Sequence, residues 1–127
     1  MKQMQAMQAV AQTLHNRLEA NGVDWATASL VLKGQPNSSK VSDSGGVAWD
    51  TSGTPHEISF KRRERKVLTS FREAMEMPDQ DPWATCLLNL DRSGKSRMLL
   101  EYDNGDRWWR TSAEDLASYA ARLQAEA

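Results

Sequence analysis

The chain has 127 residues, of which 39% are hydrophobic and 26% are charged, and its formal net charge is −1. This length suits one domain with a single core, spanning residues 1–127, and the composition excludes a disordered chain. The near-neutral charge gives no bulk attraction to nucleic acid or to an anionic membrane, so we expect neither as a partner.

Cysteine usage and hydropathy indicate a cytoplasmic protein. Cys86 is the only cysteine, so no internal disulfide can form and a reducing compartment is expected. No apolar run is long enough to span a bilayer, and the first seven residues lack the apolar core of a signal peptide.

The first part of the chain predicts a helix and two strands. Apolar residues at alternating spacings of three and four predict a helix over residues 3–20, and these are Met4, Met7, Ala11, Leu14 and Leu18. Alternation of apolar and polar residues predicts a strand over 23–34. The polar residues 34–44 predict a loop before a short strand at 47–51.

The spacing of apolar residues in the next segment predicts a helix, and this helix carries a run of basic residues. The helix starts near Glu57 or Ser59 and ends before Pro78, with Phe60 and Phe71 on its apolar face, although residues 57–60 could instead be extended. The run Lys61-Arg62-Arg63-Glu64-Arg65-Lys66 lies on this helix. Clustered bases are a weak signal, so we favour a solvated helix face over a nucleic-acid patch.

Residues 82–102 predict a β-hairpin. Two alternating apolar runs flank the polar turn 91–94, which contains a glycine. One face of the first run consists of Ala84, Cys86, Leu88 and Leu90, and one face of the second consists of Met98, Leu100 and Tyr102. Cys86 is therefore predicted to be a packed thiol, which argues against a nucleophile.

The last part of the chain predicts one more short strand, at 107–110, and a final helix. Thr111 with Glu114, or Ser112 with Asp115, has the spacing of a capping box. Counted without this short strand, the order α-β-β-α-β-β-α predicts an α+β fold, in which an antiparallel sheet of about four strands has its helices on one side.

No constellation of residues predicts catalysis or metal binding. His15, His56 and Cys86 do not have the spacing of metal ligands, and no acid, base and nucleophile are brought together by a motif. We therefore expect no enzyme, no cofactor and no metal site.

The five tryptophans are the unusual feature of the composition. Trp supplies large buried areas at protein–protein contacts. Trp25 and Trp83 are predicted to cover the core. Adjacent residues of a strand point to opposite faces, so one ring of Trp108 and Trp109 is predicted to point away from the core.

The hairpin resembles that of YezG-like immunity proteins of bacterial polymorphic-toxin and contact-dependent inhibition systems. The resemblance rests on four short stretches: Pro82-Trp83-Ala84-Thr85, Leu88-Asn89-Leu90-Asp91, Ser93-Gly94-Lys95 and Leu100-Glu101-Tyr102-Asp103. The chain departs from the family at Arg97, Met98 and Leu99, where the family alternates aromatic residues with Asp. The resemblance implies a protein that binds a cognate toxin domain, often a nuclease, and neutralises it by blocking its active site.

The chemistry of such a toxin, rather than the family, suggests which residues would bind it. A nuclease usually presents a basic face, so acidic residues would steer its association and tryptophans would anchor it. The candidate residues are Trp49, Asp50, Asp79, Asp81, Asp91, Glu101, Asp103, Asp106, Trp108 and Trp109.

The sequence leaves two other functions open, and it also leaves open whether the chain forms a homodimer. One is a small nucleic-acid-binding or regulatory module that uses the basic residues 61–66. The other is a chaperone or adaptor for a secreted effector, which also binds protein but need not block its activity.

Overall fold

The computed structural model describes residues 2–20, 22, 24–38, 40–75 and 82–126. Three helices lie in this part of the chain: α1 (Lys2–Ala20), α2 (Arg62–Ala74) and α3 (Leu116–Glu126). Five strands accompany them: β1 (Trp25–Gly34), β2 (Val41–Asp50), β3 (Pro55–Ile58), β4 (Thr85–Asp91) and β5 (Ser96–Glu101). None of the helices described is both long and apolar enough to cross a membrane.

The five strands form one antiparallel sheet in the order β3-β2-β1-β4-β5. β1 lies at the centre, where it pairs with β2 and β4. One end of the sheet is marked by the pairing of Lys33 with Asp43 and Thr85, and the other by the pairing of Thr27 with Trp49 and Asp91. The predicted α+β class and antiparallel sheet are confirmed, with five strands rather than about four.

Helices cover both faces of the sheet, so the prediction that they lie on one side is wrong. Leu30 and Leu32 of β1 pack in one core with α1 and α2, whereas Val31 between them packs in a second core with Trp108 and α3. The side chains of a strand alternate between faces, so a strand that is buried at successive positions must be covered twice.

The predicted hairpin is present as β4 and β5. Cys86, Leu88 and Leu90 are buried in the first core, and Met98 and Leu100 pack against it. The Cys86 thiol is free, and burial raises its pKa, which confirms a packed thiol. Trp25 and Trp83 are also fully buried, as predicted.

β2 is longer than predicted, because it pairs with β1 over most of its length. The strand begins at Val41 rather than at residue 47, and it passes through Gly45 and Gly46, which lie just before the predicted strand. A side chain on Gly46 would overlap the Ser29 carbonyl oxygen of β1. The close approach of two strands therefore explains this glycine.

The segment before α2 is a strand, which is the extended alternative that the sequence left open for residues 57–60. Pro55–Ile58 forms β3 at the edge of the sheet, where the missing N–H of a proline is tolerated. α2 starts at Arg62, because Glu64 accepts a hydrogen bond from the Lys61 backbone N–H at 2.7 Å and so caps the helix there.

The predicted strand at 107–110 is wrong, since this segment forms turns. Glu114 accepts from the Thr111 N–H at 2.9 Å, as the predicted spacing suggested. The helix itself starts later, at Leu116, because Asp115 caps it by accepting from the Ser118 N–H at 2.8 Å.

Candidate functional site

A cleft of about 950 Å³ opens at the end of the sheet where β1 finishes. The β1–β2 loop and the start of β2 form one wall, and the loop that follows β5 forms the other. The ionisable and aromatic side chains that line it are Lys33, Asp43, Arg72, Tyr102, Asp103 and Asp106. We call this site the acidic cleft.

Glu101 stabilises the loop that follows β5 and forms one wall of the cleft. Its carboxylate accepts hydrogen bonds from the N–H groups of Asp103 at 3.0 Å and Asn104 at 3.4 Å, and it pairs with the Arg107 guanidinium at 3.1 Å. These bonds, the one from the Asp103 N–H foremost, lower the pKa of Glu101. Glu101 thus positions this loop.

Arg72 stabilises the opposite wall of the cleft, which the β1–β2 loop forms. It lies on α2, is only 3% exposed, and its guanidinium donates to the carbonyl oxygens of Ser38 at 2.5 Å and Lys40 at 2.7 Å. It also donates twice to the Trp83 carbonyl, at 2.8 and 3.1 Å. One buried side chain therefore joins α2, the β1–β2 loop and the segment before β4.

Lys33 links the cleft to a predicted anchor. Its ammonium pairs with Asp106 at 2.5 Å and lies 5.6 Å from the centre of the half-buried Trp109 ring. This pair neutralises Asp106. Asp43 and Asp103 are exposed, and neither carboxylate makes an ion pair with a described residue. They are the carboxylates through which the cleft can attract a cationic partner.

Tyr102 supplies an aromatic surface at the same place. It is 43% exposed, one of two large hydrophobic side chains that are exposed in the described part of the chain. An exposed ring beside free carboxylates suits contact with a protein surface, because tyrosine combines a large apolar area with a polar hydroxyl.

The structure places three of the predicted site residues at the acidic cleft. Asp103 and Asp106 line it, and Glu101 supports its wall. Trp109 lies behind Lys33. Asp79 and Asp81 lie outside the described residues. In the sequence they precede Pro82, which is part of the cleft lining.

Two predicted acids, Asp50 and Asp91, lie at the opposite end of the sheet and stabilise turns there. Asp50 hydrogen-bonds to His56 at 2.9 Å and accepts from two turn N–H groups, and the bond to His56 is the largest cause of its lowered pKa. Asp91 accepts from the Ser93 hydroxyl and the Lys95 N–H, and its pKa is lowered chiefly by the former. Neither belongs to the cleft.

Two predicted tryptophan anchors lie in the core. Trp49 is 5% exposed and Trp108 is fully buried, both in the core beneath α3. Trp108 enters this core because its segment is a turn, and the Tyr119 hydroxyl donates to its carbonyl at 2.7 Å. These rings stabilise the fold and offer no surface for a partner to contact.

Sequence reasoning missed Asp43, Tyr102 and Arg72 as parts of one site. Asp43 is predicted to lie in a polar loop, and only the pairing of β1 with β2 brings it to the cleft. Arg72 did leave a signal, because it is a charge beside Phe71 and four residues after Leu68, on the side of α2 that is buried.

The cleft presents exposed carboxylates and one exposed aromatic ring to solvent. Among the residues described, no group of three or more His, Cys, Asp or Glu side chains could hold a metal ion. No protein-family model matches the chain, and no curated protein matches it significantly.

Proposed function

We propose that this chain is an immunity protein that binds a cognate toxin domain in the cytoplasm of the producing cell and neutralises it by blocking its active site. The observation that carries the proposal is the acidic cleft, which Asp43, Asp103 and the exposed Tyr102 line together. Free carboxylates around a concave site attract a basic surface, and the exposed ring supplies contact area.

A toxin that acts on nucleic acid fits this site best. Its active site must hold phosphates and is therefore basic, which makes it the complementary surface for the acidic cleft. Occupying that surface would inhibit the toxin without any catalytic group on this chain.

Co-expression tests the proposal. We expect a neighbouring gene to encode a secreted protein with a toxic C-terminal domain. That domain is induced in cells with or without the chain, and growth is followed. We expect the chain to restore growth and the purified chain to abolish the activity of the purified toxin domain. A chain that binds the domain but leaves its activity intact would be an adaptor or chaperone, and one that does not bind it would contradict the proposal.

A further inference from the structure

A second charged surface lies beside α2. Six basic residues there are exposed, and none of them makes an ion pair with a described residue. They are Lys40, Lys61, Arg62, Arg63, Arg65 and Lys66. Like charges on adjacent turns repel one another, so an anion bound among them would relieve that repulsion.

The one acid within this basic run does not neutralise it. Glu64 turns towards α1, where it pairs with Arg17 at 2.8 Å, and it also accepts from the Lys61 N–H. Burial opposes its ionisation, but the bonds from Arg17 and Lys61 prevail and lower its pKa. Its charge is therefore used between the two helices.

Three of the cations form one wall of a groove. Arg62, Arg65 and Lys66 follow the spacing of three and four that places residues on one side of a helix. With Thr69 they face Gln35 and Lys40 of the β1–β2 loop across a space of about 550 Å³. No carboxylate lines this basic groove.

Both walls of the groove are fixed. Arg72 donates to the carbonyls of Gln35 at 3.3 Å and Lys40 at 2.7 Å, which attaches the loop to α2. The Val41 N–H donates to the Thr69 hydroxyl at 3.3 Å at the far end. A preorganised site loses less entropy when a ligand binds.

We propose that this basic groove binds the phosphodiester backbone of a nucleic acid duplex. Four cations line it, and guanidinium and ammonium groups are the usual partners of phosphate oxygens. No aromatic side chain lines it, which argues against a single strand bound by base stacking. This site goes beyond the proposed toxin neutralisation, which uses the acidic cleft.

Fluorescence anisotropy with labelled DNA and RNA duplexes of about 20 base pairs tests this, starting near 50 mM salt. Contacts from four cations predict that log K falls with log salt with a slope of about −3.6 on DNA. Arg62→Glu with Lys66→Glu should weaken binding at least about tenfold. Acidic residues suit the first turns of a helix, so the fold should be retained.

Lys95→Glu with Arg97→Glu is the matched control, since it removes the same charge from exposed positions on the β4–β5 hairpin. It should leave most of the binding intact. Arg62→Gln with Lys66→Gln should weaken binding in the same direction, and this pair decides the matter if the Glu pair does not fold.

Three results would overturn the proposal: no duplex binding at low salt, equal losses in the groove and control variants, or binding to anionic vesicles without binding to either duplex. Toxin neutralisation by the groove variants should match that of the unaltered chain. The two proposals therefore fail independently.

Discussion

Arg72 occupies a position that a helix normally gives to an apolar side chain, since it is buried beside Phe71. Its guanidinium donates to carbonyls of the β1–β2 loop and of Trp83, and it lies 5.2 Å from the Trp83 ring centre. The residue lies beneath the wall that the acidic cleft and the basic groove share, so both sites depend on it.

Arg72→Met should lower the free energy of unfolding by about 3 kcal/mol, because the buried Trp83 carbonyl and three partly buried carbonyls of the β1–β2 loop lose a charged donor. Urea denaturation followed by tryptophan fluorescence measures this change. Arg65→Met, an exposed position on the same helix, is the control and should stay within about 0.5 kcal/mol. Similar effects at the two positions would contradict the role given to Arg72.

Glu114 predicts how stability depends on acid. Hydrogen bonds from Arg122 and from the Thr111 N–H lower its pKa from 4.5 to about 2. The folded state therefore binds this proton less readily than the unfolded state. The stabilisation is present above pH 4.5 and is lost as the pH falls towards about 2.

Melting temperatures measured across this pH range should fall less steeply for Glu114→Gln than for the unaltered chain. Glu73→Gln, which removes an exposed carboxylate that pairs with no described residue, should leave the slope unchanged. An unchanged slope for Glu114→Gln would show that its bonds to Arg122 and Thr111 do not stabilise the fold.

At the scale of elements, adjacent glycines in β2 differ in what surrounds them. A side chain on Gly46 would overlap the Ser29 carbonyl of β1, whereas one on Gly45 would meet only the Ile58 carbonyl at 4.0 Å. Gly46→Ala should therefore cost about 2 kcal/mol or more in urea denaturation. Gly45→Ala should be neutral or stabilising by up to about 1 kcal/mol. Equal losses of stability for Gly46→Ala and Gly45→Ala would contradict the close approach of β1 to β2 at Gly46.

The hairpin could be predicted because its alternation lies within a single stretch of chain and its turn has its own chemistry. β3 was only one of two alternatives for residues 57–60, since four residues hold too little periodicity and their state depends on pairing with β2. In the sequence Gly45 and Gly46 resemble a loop, because the need for a glycine at Gly46 arises only from its close contact with another strand, β1. The acids after β5 were named as candidates because acidic residues would attract a basic toxin, whereas Asp43 joins them only through the sheet.

At the scale of the whole molecule, the sheet is covered on both faces by helices that are far apart in sequence. Leu14 of α1 and Leu123 of α3 are both fully buried, one in each core. Each substitution to Ala should therefore cost about 3 kcal/mol, measured by urea denaturation. Ala121→Ser, on the exposed side of α3, is the control and should change little. A small cost for Leu123→Ala would place α3 off the sheet.

The two charged surfaces lie on either side of the β1–β2 loop, with free acids on one side and unpaired bases on the other. This separation explains how a chain with a net charge of −1 can present two surfaces of opposite local charge. A basic toxin surface would be directed towards the acidic cleft, and phosphates towards the basic groove.

The rate at which the purified chain associates with the toxin domain tests the acidic cleft most directly. Asp43→Lys with Asp103→Lys should slow association at low salt about tenfold or more, while Glu73→Lys, an acid outside the cleft, should leave it within about twofold of the unaltered chain. Unaltered association by the cleft variant, or equal slowing by the control, would contradict the account.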